Sequence, residues 1–440
     1  MKDIFYALAD HVQSEIRASE MFTLYASAER SDFVRFNQGK VRQPGAVVQY
    51  TITLRLIEGG RHSKISMSLC RDMAADKRRL SKALLDLREQ LLLLPVDPHL
   101  LINTTVHSSE VSEPNELPEA TQMVDSILRE GKGTDLVGIL ATGSIYSGFA
   151  NSLGQRNWFA THNFNLDWSL VCSADKAVKS SYAGRAWDDA EFTHKMNDAR
   201  SKLEVLRKPS ITLDPGEYRV YMTPVALGEI LDLLGWGAFS VRAQQNKTSS
   251  LLKLVAGEEQ LSEQVSLREH VGGGAAPSFQ SDGFVRPNAV SLIERGRASG
   301  ALISPRSAKE FSLRTNGSSL SESPDSLEMD AGSLAQENII EQLDTGVYIG
   351  NLWYLNYSDR MGCRMTGMTR FATLWVENGQ VVAPINVMRF DDTVYRILGE
   401  NLEDLTQERS FLLSASSYFQ RSTASARLPG ALIKDFRFTL

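Results

Sequence analysis

The amino-acid sequence predicts an α+β protein in two domains, with mixed or antiparallel sheets and flanking helices. Three observations carry that expectation. Two-residue alternation over 48–56 and again over 65–69, either side of Glu58-Gly59-Gly60-Arg61, is the pattern of a hairpin with one buried face. Apolar side chains recurring at three and four over 3–19 and 72–94 are the pattern of helices packed by one stripe. A polar stretch with Pro and Gly over 208–216 separates a long helical pattern from a new strand.

The elements follow in order. Ile4, Phe5, Leu8, Val12 and Ile16 share one face of the first helix. In the hairpin, Val48, Tyr50, Ile52, Leu54 and Leu56 alternate with Gln49, Thr51, Thr53 and Arg55, and Ile65, Met67 and Leu69 line the return strand. Asp72 is placed to cap a helix whose stripe is Leu80, Leu84, Leu87, Leu91 and Leu94, and Pro95 and Pro98 stop it. A helix over 118–130 opens with proline and ends before Gly131. Strands are expected over 136–146, 157–165 and 168–173, with a turn at Asn151-Ser152-Leu153-Gly154, and a helix over 188–207 comes next. The boundary at 208–216 then divides an N-terminal α+β domain, 1–207, from a C-terminal one, 208–440.

In the second domain we expect a strand over 218–222. A helix follows, with Thr223 as its cap, Pro224 in its first position and Gly235 as its end. Serines, Asn316-Gly317 and Pro324 make 314–330 a mobile surface loop. A capped helix over 333–342, a strand over 346–351 and a hairpin, 371–377 with 380–386 across Asn378-Gly379, complete the reading.

Composition narrows the function. Against 47 Lys+Arg stand 53 Asp+Glu, a formal net charge of −6, which excludes a polycationic nucleic-acid binder. Lys77-Arg78-Arg79 lies among Asp72, Asp76 and Asp86 and reads as a solvated helix face. No apolar run approaches the ~18 residues that cross a bilayer, and Met1-Lys2-Asp3-Ile4 lacks a secretory layout, so a cytoplasmic protein without a membrane partner is expected. Cys70, Cys172 and Cys363 are far apart with no CxxC pair, which argues against a disulfide framework. The histidines are too scattered for a short-range zinc cluster.

The punctuating motifs carry a resemblance. Gly39-Lys40-Val41, Glu58-Gly59-Gly60-Arg61 and Asn151-Ser152-Leu153-Gly154 in the first half are followed by Leu213-Asp214-Pro215-Gly216-Glu217-Tyr218, Ser281-Asp282-Gly283, Asp344-Thr345-Gly346-Val347-Tyr348-Ile349 and Val376-Glu377-Asn378-Gly379-Gln380. In that order they resemble the TldD/PmbA family, once described as modulators of DNA gyrase and better known as a two-subunit metallopeptidase system. The resemblance implies one subunit with a His-Glu-x-x-x-His helix, whose imidazoles hold zinc with a distant cysteine and whose glutamate activates the bound water, and a second subunit without that motif.

In this chain the helix after Tyr218 contains no histidine. By the register that the resemblance implies, the first ligand position falls near Asp232, the catalytic glutamate near Leu233 and the second ligand near Gly237. The resemblance therefore implies the non-catalytic TldE/PmbA type: no zinc or other cofactor, no catalytic residue, and assembly as a homodimer or as a heterodimer with a TldD-like catalytic subunit, serving peptide substrates.

Other motifs read as structure. Cys363, in Asp359-Arg360-Met361-Gly362-Cys363-Arg364, has flanking arginines that would lower a thiol pKa, so a reactive thiol is weighed against a buried structural one. Glu269-His270 reads as a surface charge pair, Val271-Gly272-Gly273-Gly274-Ala275-Ala276 as a flexible linker without the Lys-Ser/Thr of a P-loop, Gly143-Ser144-Ile145-Tyr146-Ser147-Gly148 as a strand end, and His162 as a structural hydrogen bonder. Two rival functions remain: a stand-alone peptidase whose metal ligands meet only on folding, and a homodimeric peptide-binding protein.

Overall fold

The computed structural model describes residues 1–173 and 176–440. Helices α1 (Lys2–Glu15) and α2 (Met73–Leu93) each bury one stripe, and the Asp72 carboxylate caps α2 by accepting from the Ala75 N–H at 3.0 Å. They cover one end of a sheet built from β1 (Met21–Asn37), β2 (Lys40–Glu58), β3 (Arg61–Ser68), β4 (Ser109–Ser112), β5 (Asp135–Asn151), β6 (Arg156–Ser173) and β7 (Lys176–Gly184). The order is β3-β2-β1-β5-β6-β4, with β7 also on β6, and the β4–β6 pair is parallel. Helices α3 (Ala120–Glu130) and α4 (Asp189–Leu206) cover the other end of the same face, where Phe164, Leu166, Trp168 and Leu170 meet Phe192 and Met196.

β2 and β3 follow the alternation expected of them, whereas β1 carries no such signal. That strand buries Glu29 and Ser31 on the face opposite Leu24, Ala26 and Ala28, so its polar side is not a solvent side and the alternation is masked. The strands expected over 157–165 and 168–173 are one strand, β6, because Asn165 and Asp167 belong to its polar face and do not break it.

The second sheet takes β8 (Gly216–Met222), β9 (Leu267–Glu269), β10 (Val290–Glu294), β11 (Arg297–Ala298), β12 (Ser326–Met329), β13 (Gly346–Asp359), β14 (Arg364–Glu377), β15 (Gln380–Pro384), β16 (Arg389–Thr393), β17 (Leu402–Leu413) and β18 (Ser425–Phe438). β8 pairs in parallel with β13 and antiparallel with β18, so β8-β13-β14-β16-β18 close into a ring. Helix α5 (Pro224–Leu234) packs its leucines on β13 and β18 in the largest core. Among the described residues no helix is long and apolar enough to cross a membrane.

Three expectations are corrected here. The stretch 314–330 is not a loose surface loop: all of Ser326–Met329 is a buried strand between β9 and β18, and Glu322 is fully buried. Its polar residues are inside because they are bonded; Glu322 accepts from the Ser240 hydroxyl, from the Arg242 N–H at 3.1 Å and from the Ser304 N–H at 2.8 Å. The helix over 333–342 shrinks to a 3₁₀ turn, Gln336–Asn338, and one short helix, Ile339–Leu343, since Ser333 donates to Asp404 and does not cap. The strands at 346–351 and 371–377 extend to a long hairpin that turns at Arg360–Cys363.

Ser281-Asp282-Gly283 clasps the two sheets together. Arg55 of β2 pairs with Asp282 at 2.8 Å, and the Gly283 carbonyl accepts from Asn103 at 2.6 Å and Gln155 at 2.9 Å. Gly283 has φ +82° and sits against the Phe149 ring, where a Cβ would fall 2.3 Å from Cζ. Gly283→Ala is expected to cost about 2 kcal/mol through left-handed strain and overpacking, read as a lowered urea midpoint; an unchanged midpoint would show that the clasp is not tight.

Candidate functional site

Helix α5 begins where Thr223 accepts from the Ala226 N–H at 3.2 Å and donates to the Gly350 carbonyl at 2.7 Å, anchoring the helix to a bulge in the β13–β14 hairpin. Along it, Asp232 is exposed, Leu233 belongs to the core, and Gly237 lies past the helix end at φ +100°. The helix terminus is occupied. Tyr357 donates its hydroxyl to the Leu233 carbonyl at 3.0 Å, and Arg360 donates to the Trp236 carbonyl at 2.6 Å and the Thr248 carbonyl at 3.1 Å.

These residues do not fit zinc. Asp232 offers a single carboxylate, Leu233 only hydrocarbon and Gly237 no side chain, and among the described residues no three His, Cys, Asp or Glu side chains are placed to share a metal ion.

Cys363 stands in the tight turn of the β13–β14 hairpin at φ +47° and is fully buried. Burial pushes its thiol up to about 12, against the lowering from a Ser250 hydrogen bond and from Arg360, so the flanking arginines do not make a thiolate. Of the two readings weighed for Cys363, its burial favours the structural one. Cys70 is exposed instead, its thiol donating to Asp76 at 3.1 Å. A disulfide reagent is expected to label Cys70 first in the native protein and to reach Cys363 only on unfolding, with Cys70→Ser removing the fast phase; rapid native labelling of Cys363 would contradict this placement.

The exposed side of α5 looks onto the first sheet. Half-buried Glu229 has its carboxyl raised by loss of surrounding water; the neighbouring Asp232 adds to the effect while Lys179 of β7 opposes it. Asp167 of β6 is raised by burial as well. Lys179 and Arg370 both stand over the Phe371 ring, 5.9 and 5.6 Å from its centroid, and Phe371 itself is at φ +58°. This seam between the sheets concentrates partly desolvated charge and a strained aromatic, features common at binding sites. The sequence gives one signal for it, the polar alternation Asn165, Asp167, Ser169 inside an otherwise apolar strand.

Glu269 and His270 are adjacent in sequence but separate in space, and Glu269 is buried, not a surface charge. Its carboxylate accepts from the Asp325 and Ser326 N–H groups at 3.0–3.1 Å, and burial nevertheless pushes it up to about 7. His270 Nδ1 lies 2.7 Å from Glu328, which also accepts from Arg268 at 2.6 Å and Arg409 at 2.9 Å. The glycine run is packed against this cluster: Val271–Gly273 forms a 3₁₀ turn and Ala275 and Ala276 are buried, so it is not a loose linker. Gly143 to Gly148 lies inside β5, where Ser144 faces His162 in register and their side chains meet at 2.8 Å. That hydroxyl–imidazole contact ties neighbouring strands, as expected of His162, and burial lowers the imidazole.

The C-terminal half matches the model of the PmbA/TldA metallopeptidase C-terminal domain over residues 215–440. The chain belongs to that family. The fold of PmbA/TldD proteins extends over the whole molecule: TldE from Thermococcus kodakarensis superposes at TM-score 0.76 with 14% identity, over 96% of this chain and 97% of the other. A proposed modulator of a DNA gyrase from Thermotoga maritima superposes at 0.76 with 14% identity over 100% and 99% of the two chains, and another from Bacteroides thetaiotaomicron at 0.74 with 15% identity over 100% and 98%. No curated protein sequence matches the chain.

Proposed function

We infer that this PmbA/TldD protein is a TldE-like subunit without a zinc site of its own, which assembles with a histidine-bearing relative of the family, or with a second copy, and holds peptides for processing. The observation that carries the reading is the state of α5, where the metal positions implied by the family are Asp232, Leu233 and Gly237 and the helix end is closed by Tyr357 and Arg360. A Thermococcus protein of the same fold is named TldE, in keeping with that reading.

Peptide holding has its own support. β2 has β3 as a neighbour only from Thr51 onward, so from Lys40 to Gln49 its outer edge has no partner strand among the described residues. Such an edge can take an extended main chain by backbone hydrogen bonds. The seam at Glu229, Lys179 and Phe371 offers charge and an aromatic surface to side chains.

Peptide cleavage by this chain alone, by a His-Glu-x-x-x-His relative alone and by the two mixed tests the reading. Cleavage that appears or rises at least tenfold only in the mixture is expected. Chelator-sensitive cleavage by this chain alone would favour the stand-alone peptidase and overturn the proposal.

A further inference from the structure

Residues 414–424 form a strap that joins β17 to β18 and lies on the first sheet, and one of its own side chains, the Arg421 guanidinium, is buried against that sheet with part of its donor fork empty. Arg421 is 4% exposed. Its Nη2 donates to the Asn163 backbone carbonyl at 3.0 Å and to the Asn163 side-chain oxygen. Its Nη1 has no acceptor, and neither does Asn163 Nδ2, on a residue 1% exposed. Glu29, buried nearby, is already engaged: it accepts from Gln49, from the Ser31 hydroxyl at 2.9 Å and from the Arg421 backbone N–H at 3.3 Å. Burial lowers the guanidinium to about 10.

A buried cation with unmet donors is costly unless an acceptor arrives. Guanidinium and amide N–H groups side by side match the two oxygens of one carboxylate. We propose that Arg421 and Asn163 form a carboxylate site that takes the C-terminal carboxyl group of an extended peptide. The inference rests on the peptide-holding reading above.

Glu29 sets the charge selectivity. With one negative group already beside Arg421, a monoanion is accepted and a dianion such as sulfate is repelled. The surroundings favour a peptide over a small free acid. Tyr418 and Phe419 stand in solvent at the strap tip as an edge-on pair with centroids 4.8 Å apart, and Gln49, at the end of the free β2 edge, bonds to the Phe419 carbonyl. Aromatic surface and an unpaired strand edge thus flank the fork. Entry requires the strap tip to release the bond between Ser27 and Gln420 and swing out while Arg421, the next residue of the strap, keeps its bonds to Asn163.

Calorimetric titration of the full chain with N-acetyl-trialanine as free acid, with the same peptide as C-terminal amide, with acetate and with sulfate tests the site. The acid is expected to bind more than tenfold tighter than the amide and than acetate, with sulfate unable to compete. Asn163→Asp, which presents a carboxylate to Arg421 in place of the ligand, is expected to abolish the acid–amide difference while raising the thermal midpoint, and Arg421→Met to abolish the difference as well. Equal binding of acid and amide, no binding of either, or discrimination retained in Asn163→Asp would overturn the site; acetate as tight as the peptide acid would overturn its assignment to peptides. Loss of discrimination with stimulated cleavage intact in the mixture removes this site alone, whereas discrimination without stimulation removes the subunit reading alone.

Discussion

Leu233→Glu is expected to lower stability by about 4 kcal/mol at neutral pH. Leu233 is core on α5, so removing its branched end forfeits roughly 2–5 kcal/mol of burial and packing, and a carboxyl group with no partner there adds roughly 1–3 kcal/mol. Asp232→His, one residue earlier and exposed, should change stability by no more than about 0.5 kcal/mol. Urea midpoints of the two variants against the parent give the comparison. The contrast matters because both substitutions introduce the residues that the proposed register assigns to a zinc-binding relative. If α5 is a packing helix, the glutamate is rejected and the histidine tolerated; equal tolerance of both would mean that the Leu233 position faces a cavity fit for catalytic groups.

The second large effect is acid sensitivity centred on Glu328. Burial alone would raise this carboxyl, but the hydrogen bonds from Arg268, His270 and Arg409 outweigh it and hold Glu328 at about 2, below its ordinary 4.5. A carboxyl depressed in the folded state stabilises above its unfolded pKa and loses that contribution as pH falls through the folded value. The stabilisation is therefore complete above about pH 4.5 and lost towards about pH 2, roughly 3 kcal/mol in all. Glu328→Gln should lower stability by about 3 kcal/mol at pH 7 and flatten the profile between those limits. Glu269, raised to about 7, acts in the opposite sense: its contribution is full below about 4.5 and declines as pH rises through 7, so the acid limb belongs to Glu328. Unfolding midpoints of parent and Glu328→Gln from pH 2 to 8 decide it, and parallel curves would show that the three donors do not hold the carboxylate.

What the sequence discloses depends on whether an element has one wet face. α1, α2, α5, β2 and the Asn378-Gly379 turn are legible because local periodicity and cap or turn chemistry agree with their final burial. β1 and β12 are not, because each lies between other strands and its polar residues are bonded inside; Glu29 under the strap and Glu328 beneath its arginines look like surface residues until their partners are known. The missing imidazoles on α5 are visible in the sequence, whereas the Tyr357–Arg360 closure of its end comes from a hairpin more than a hundred residues later. Pairing at such separation has no local signal. The same holds for Arg421, whose tie to Asn163 spans the strap and the first sheet.

The zinc content of the purified chain, measured by elemental analysis after dialysis against a low-affinity chelator, decides whether the α5 region holds a metal. If Asp232, Leu233 and Gly237 stand near the metal positions, as proposed, zinc far below one ion per chain is the predicted result, unchanged by added peptide. One tightly held zinc per chain, released together with a peptide-cleaving activity, would contradict the account.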